Sequence, residues 1–198
     1  MTATDSGGRK RIADLRRAQI LDAANACFSR EGFHGASMAS IAAEAELSVG
    51  QIYRYFESKE AMIEALCEDF LEEWTETAAS IHGQANDVVE ELLAIARYNA
   101  EKLKQREGVS ILLEFFAEAA RNPRIGRLVE RIDETIRAQV SEVLSRSEAG
   151  ALAPEARVTL AMVLLFDALP LRVLKDPGVD VDQYLLSLRP MLESLTKA

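Results

Sequence analysis

Ser37-Met-Ala-Ser-Ile-Ala-Ala-Glu-Ala-Glu-Leu-Ser-Val-Gly-Gln-Ile-Tyr-Arg-Tyr-Phe-Glu-Ser-Lys59 decides how this 198-residue chain is read. The spacing predicts two short helices, near 37–45 and 48–56, joined by a tight turn. Ser37 is a good N-cap, because its hydroxyl can accept from a free backbone N–H at a helix start. Ile41 and Ala45 lie four apart and share one face. Ala42 is small where two helices would cross closely. Ser48 can cap the second helix, whose apolar stripe is Ile52 and Phe56. Val49, Gly50, Gln51, Tyr53 and Arg54 are left on or near its outer face. So short a pair cannot bury a core by itself and needs helices on both sides. What it can do is present its second helix outward, as a helix-turn-helix does in a DNA major groove. Gln reads base edges, Arg reads guanine or holds phosphate, and Gly50 permits close backbone approach. The plain alternative is an ordinary helical hairpin with Tyr and Arg as solvated surface.

The flanks supply the missing walls. Upstream, Ile20, Ala24, Cys27 and Phe28 form a helical stripe ending at Gly32, a natural C′ residue. Downstream, Ser58 caps a long helix carrying Met62, Leu66, Phe70 and Trp74. The run Ile20-Leu-Asp-Ala-Ala-Asn-Ala-Cys-Phe-Ser-Arg-Glu-Gly-Phe-His-Gly-Ala-Ser37, continued through Tyr53-Arg-Tyr-Phe-Glu-Ser-Lys-Glu-Ala61, resembles the TetR family of transcriptional regulators over roughly residues 15–70. The Glu-Gly-Phe turn, the helix pair and the Tyr-x-Tyr-Phe-x-Ser-Lys-Glu run occur in the family's order. The resemblance implies an all-helical homodimer with an N-terminal DNA-binding domain and a C-terminal domain for a small effector. Two positions depart from the family pattern. Glu46 stands where the turn usually has Gly; at positive φ it costs on the order of 1 kcal/mol more than Gly. Val49 stands where a Lys is common, so a thymine-methyl contact would replace a polar one.

Composition bounds the rest. No apolar run approaches the roughly 20 residues of a membrane span, and Met1 to Gly8 lacks the apolar stretch of a secretory signal. Cys27 and Cys67 both fall on core stripes and are expected as buried reduced thiols. These features predict a cytoplasmic protein. Net charge is −9, which argues against nucleic acid until its distribution is read. Residues 1–56 carry seven Lys/Arg against six Asp/Glu, a balance of +1; residues 57–198 carry 16 against 26, a balance of −10. Arg9, Lys10, Arg11, Arg16 and Arg17 lie close together with Asp14 alone among them. Phosphate neutralisation needs a local patch, not a basic whole. Arg9, Lys10 and Arg11 are expected to contact DNA from a disordered arm over residues 1–10; a solvated tail is the alternative.

The expected organisation is all-α, about nine helices. A three-helix DNA-binding domain covers 11–57, and an effector-binding and dimerisation domain covers 58–198. Helices are read near 11–31, 37–45, 48–56, 58–81, from Asn86 or Asp87 to about Arg106, 109–120, from Pro123 to about 146, from Pro154 to Asp176, and from Asp180 or Asp182 to about 195. Gly150 to Ala153 is read as a loop. Pro170 removes one backbone hydrogen bond and should kink the eighth helix or end it early. The last two helices are too apolar for one stripe each, so Leu160, Leu164, Leu171, Tyr184, Leu185, Leu188, Met191 and Leu192 are candidates for a dimer interface, with a monomeric core as the alternative. Leu164 to Pro177 resembles the C-terminal domain of a TetR subgroup that includes choline-responsive regulators, without transferring the ligand.

Site expectations follow. Tyr53, Tyr55 and Lys59 would hold phosphates, with Ser37 and Ser48 at helix N-termini. Val49, Gly50, Gln51 and Arg54 would meet bases of double-stranded DNA. An effector pocket would draw on Trp74, Tyr98, Phe115, Phe116, Met162 and Phe166, with Asn99, Glu114 or Asp167 as polar partners; each aromatic taken singly also reads as plain core. Glu31-Gly-Phe-His34 has the Glu-x-x-His spacing of di-iron bundles but sits across a turn with no second copy. His34 is read as a turn residue and His82 as a helix C-terminal cap. No cofactor loop, metal-ligand set or nucleophile–base pair is found, so no enzyme is expected. The function expected is a dimeric repressor released from a near-palindromic operator by a small molecule, activator and repressor not being distinguishable. The rivals are a helical protein-binding adaptor and a helical enzyme.

Overall fold

A computed structural model of the chain describes residues 4–82, 87–104, 108–147 and 152–196, with the backbone alone for 4–10. Among these residues every regular element is helical: α1 (Thr4–Gly35), α2 (Met38–Glu44), α3 (Val49–Ile52), α4 (Lys59–Ile81), α5 (Val88–Lys104), α6 (Gly108–Ala119), α7 (Pro123–Ser145), α8 (Pro154–Met162), a π-helical segment Val163–Asp167, α9 (Ala168–Lys175) and α10 (Val181–Thr196). The π segment joins α8 to α9 without a break, so these elements make the nine helices expected. No helix among the described residues is long and apolar enough to cross a membrane.

The chain divides into two compact units. The first holds residues 1–69 and 110–128, the second 70–109 and 129–198. The division differs from a boundary at 57/58. The first unit keeps the opening turns of α4 and takes Ser110–Leu128 from far along the chain.

In the first unit Ile20, Ala24, Cys27 and Phe28 are fully buried, together with Ile41, Ile52, Met62 and Ile125. Helix starts follow the sequence signals. The Ser58 hydroxyl accepts from Ala61 N–H at 3.2 Å, and the Asn122 carbonyl accepts from Arg124 N–H at 3.0 Å just before α7. Two expectations are corrected. The expected disordered arm is helical from Thr4, because α1 runs unbroken through Lys10; residues 1–3 lie outside the described set. The second helix of the pair is one turn long, not nine residues. After Ile52 the bonding is mixed: Arg54 N–H to Gln51 O and Tyr55 N–H to Ile52 O are i→i+3, and Phe56 N–H to Ile52 O is i→i+4.

The turn between α2 and α3 is a Schellman motif. Leu47 N–H donates to Ala42 O at 2.8 Å, and Glu46 N–H to Ala43 O at 3.1 Å. Its C′ residue is Glu46 at φ 53°, the left-handed region that favours glycine. Burial raises the Cys27 thiol above its ordinary pKa, against the opposing pull of Arg30.

In the second unit α5 buries Val89, Leu92, Leu93, Ala96, Ala100 and Leu103, a 3-1-3-4-3 stripe. Asp87 accepts from Val89 N–H at 3.1 Å; Asn86 lies outside the described residues, as do Arg106 and Gly150. Asp180 caps α10 by accepting from Gln183 N–H at 3.0 Å. Ion pairs Arg97–Asp182 at 2.6 Å and Arg189–Glu90 at 2.7 Å border the α5–α10 packing. Pro170 does not end the helix early. A π turn precedes it, with Ala168 N–H bonded to Val163 O five residues back. The extra residue in that turn sets the backbone before a ring that cannot donate. Pro190, which the sequence reading passed over, likewise sits inside α10.

Glu46→Gly should stabilise the fold by roughly 0.5–1 kcal/mol, the left-handed strain relieved exceeding the added chain entropy. Urea unfolding with an unchanged m-value checks this; a loss of stability would show that Glu46 carries a compensating contact.

Candidate nucleic-acid interface

The outward face of α3 is assembled by two capping boxes and two buried anchors. Ile52 and Phe56 are buried and fix the inner side of α3 and its following turn. Ser48 Oγ accepts from Gln51 N–H at 3.3 Å, while Gln51 Oε1 accepts from Ser48 N–H at 2.9 Å and from the Ser48 hydroxyl at 3.0 Å. At α2, Ser37 Oγ accepts from Ser40 N–H at 3.0 Å, and Ser40 Oγ accepts from Ser37 N–H at 2.9 Å. Val49, Gly50, Gln51, Tyr53 and Arg54 are all exposed, and Tyr55 is half-buried. Nothing lies within 4 Å of where a Cβ at Gly50 would stand. The fold itself therefore leaves Gly50 free to carry a side chain.

Ser37 and Ser48 are placed at helix starts as expected, but their hydroxyl protons are turned inward, to Ser40 Oγ at 3.2 Å and to Gln51 Oε1. The Lys59 ammonium is engaged within the chain. It donates to Phe33 O at 2.6 Å and Ala36 O at 2.7 Å, and stands 4.8 Å from the Phe33 ring centre. It thus ties α4 to the chain leaving α1. Arg11 is exposed; the side chains of Arg9 and Lys10 lie outside the described residues.

The same turn is gripped from its other side by α6. Gly32 has φ 74°, which bends the end of α1. A Cβ there would lie 3.4 Å from the Glu114 carboxylate. Glu114 Oε2 accepts from Phe33 N–H at 2.9 Å, and Glu118 Oε2 lies 3.1 Å from His34 Nε2. Phe33 is thus held at its N–H by α6 and at its carbonyl by α4. Gln19 Nε2 donates to Ala45 O at 2.7 Å, closing the C-terminal end of α2. The guanidinium of Arg17 stands over Phe56 at 5.5 Å and pairs with Asp69 at 3.4 Å. Sequence reasoning missed the roles of Gln19 and Glu114, since partners 26 and 81 residues away leave no local signal. It also missed Gln51 as the second half of a Ser-x-x-Gln box, a signal that was present.

The expected effector residues fall into both units. Glu114, Phe115 and Phe116 belong to the first, where Glu114 is engaged as described and Phe116 is exposed. In the second unit Trp74 and Phe166 meet edge to face, 5.5 Å apart, and Phe70 stacks on Trp74. Trp74 Nε1 donates to Gln139 Oε1. Tyr98 donates to Glu73 at 2.7 Å. Lys102 first, then Tyr98, hold the Glu73 carboxyl below its usual range. Trp74, Thr77, Ala78, Ile81, Ile95 and Tyr98 line an indentation with no enclosed room even for a water molecule, whereas ligand pockets hold roughly 300–1,000 Å³. Met162 is buried, Asn99 half-buried and Asp167 exposed; desolvation, then Asp133, raise the Asp167 carboxyl. His82 follows α4 and pairs through Nδ1 with buried Glu91 at 3.1 Å.

Of the expected dimer residues, Leu160, Leu171 and Met191 are 40%, 47% and 50% exposed, and Leu164, Tyr184 and Leu188 are half-buried. Leu185 and Leu192 are wholly buried within their own unit. They are corrected to intrachain core, because α10 uses that face against the chain itself.

A one-turn helix held outward by a three-helix scaffold, with its apolar residues inward and polar residues outward, defines a helix-turn-helix DNA-binding protein. Residues 20–66 match the family model described as bacterial regulatory proteins, tetR family. Residues 83–198 match the tetracyclin repressor-like C-terminal domain. The HTH-type transcriptional regulator UidR of Escherichia coli K12 is 32% identical over 160 residues, covering 78% of each chain. The HTH-type transcriptional regulator BetI of Paraburkholderia phytofirmans is 28% identical over 168 residues, covering 81% of this chain and 83% of that one. The structure of Salmonella enterica GusR superposes with a TM-score of 0.73 at 25% identity, covering 92% of this chain and 96% of that one. The chain belongs to the TetR family of transcriptional regulators.

Lys59→Ala should lower stability by about 2–3 kcal/mol, two charge-assisted hydrogen bonds being lost, and Tm by roughly 4–12 °C. Calorimetry without DNA reads this. An unchanged Tm would return Lys59 to a role at phosphate.

Proposed function

We propose that the protein is a homodimeric repressor that binds a near-palindromic operator and leaves it when a small molecule binds the second unit. The observation that carries the reading is the face of α3: five residues suited to DNA stand outward, and Gly50 is free of internal constraint. Val49 and Gly50 bring the backbone close to the bases, Gln51 and Arg54 meet base edges, and Tyr53 and Tyr55 hold phosphates. Arg9, Lys10 and Arg11, at the start of α1, add phosphate or minor-groove contacts. Two such faces must lie about 34–36 Å apart to enter successive major grooves. Leu160, Leu164, Leu171, Leu188, Met191 and Tyr184 supply apolar surface for a partner copy.

The effector site is proposed around Trp74, Tyr98, Asn99, Met162 and Phe166. The indentation there must open to admit a ligand, so binding would favour a conformation other than this one. Release of DNA would equal the ligand's preference for that conformation. Regulators of similar fold from Saccharomonospora viridis and Bacillus subtilis have been solved with choline and with stearoyl-CoA, which supports a small-molecule role without indicating which ligand. A cytoplasmic location goes with this function.

Selection from a randomised duplex pool at two salt concentrations should enrich a two-fold symmetric site, with affinity falling steeply as salt rises. Gly50→Ala should hold or raise stability by up to about 1 kcal/mol yet weaken binding to that site at least tenfold. Failure to enrich any site would sink the reading. Unimpaired binding by Gly50→Ala would remove α3 from the groove.

A further inference from the structure

We propose that Gln51 reads its base as a hydrogen-bond donor only, selecting a major-groove acceptor and not making the two-point contact to adenine open to a free glutamine. The inference rests on the DNA-reading proposal above and specifies one residue of it.

A glutamine amide reads adenine by giving an N–H to N7 and accepting from the N6 amino group. The second bond needs a free lone pair on Oε1. In this chain both lone pairs are taken. Ser48 N–H donates to Oε1 at 2.9 Å, and the Ser48 hydroxyl donates to it at 3.0 Å. The orientation of the amide follows from its neighbours, since a backbone N–H can face only the oxygen end. The Ser48 hydroxyl, having accepted from Gln51 N–H, has its single proton left for Oε1. Gln51 is exposed, and its Nε2 has no partner among the described residues. Its two N–H donors are therefore left available at the surface.

Freeing Oε1 for adenine would strip the Ser48 N–H and hydroxyl of their acceptor and remove half the capping box of a helix only four residues long. The box thus filters the bases. Guanine offers O6 and N7 and thymine offers O4, all acceptors. Adenine retains only N7, and cytosine offers only its N4 donor.

The test uses the enriched operator and the Gln51→Glu variant. A carboxylate keeps both acceptor bonds of the box and removes the donors, so Tm should not change. Binding should fall about tenfold or more, and repeated selection should lose the preference at one position in each half-site or move it to cytosine. In wild type that position should be guanine or thymine, or an adenine whose replacement by a base lacking N6 leaves affinity unaltered while 7-deazaadenine weakens it. An adenine whose N6 removal costs tenfold would overturn the inference, as would a preference untouched by Gln51→Glu. Failure of wild type to enrich any duplex is a different outcome: it sinks the DNA reading itself.

Discussion

A helix of four residues has no stability of its own, because fixing its first turn costs more than its few hydrogen bonds return. α3 exists because Ile52 and Phe56 are buried beneath it and because Ser48 and Gln51 satisfy each other's backbone and side-chain groups. The rest of the first unit supports that one turn. α1 supplies the wall of Ile20, Ala24, Cys27 and Phe28. α4 supplies Met62 and Ile63. The outward residues are then free of packing duties.

The same unit shows why the approach to the reader is built from charge. Between α1 and α2 the chain must turn, and its backbone groups there have no helical partners. Lys59 takes the carbonyls of Phe33 and Ala36, and Glu114 takes the N–H of Phe33. Gly32 makes the arrangement possible twice over, by adopting φ 74° and by leaving room for the carboxylate. A lysine expected at DNA is thus an internal tie, and a glutamate expected at an effector is a cap.

In the second unit, apolar content alone could not say which leucines meet the chain and which meet solvent. Burial of Leu185 and Leu192 assigns one face of α10 to the interior, leaving Met191 outside. The π turn before Pro170 moves the following residues around the helix, so that Leu169 and Val173 are buried while Leu171 and Leu174 are exposed. A strict 3.6-residue count carried through Val163–Asp167 misplaces those side chains.

Local chemistry was legible in the sequence: the caps at Ser37, Ser48 and Ser58, the apolar stripe of α1, the strained Glu46, and the family to which the Tyr-Arg-Tyr-Phe run points. Such signals lie within one or two helical turns, where spacing dictates which groups can meet. The sequence also carried the Ser48-x-x-Gln51 box, though a glutamine beside a DNA-reading helix invites a different role. Only the tertiary structure decided where Lys59, Gln19 and Glu114 spend their hydrogen bonds, that Ser110–Leu128 joins the DNA-binding unit, and which apolar residues stay exposed. Long polar side chains reach several ångströms in many directions, and their partners lie tens of residues away along the chain. Periodicity specifies the face of a helix; the neighbour that the face meets is set by how the helices pack.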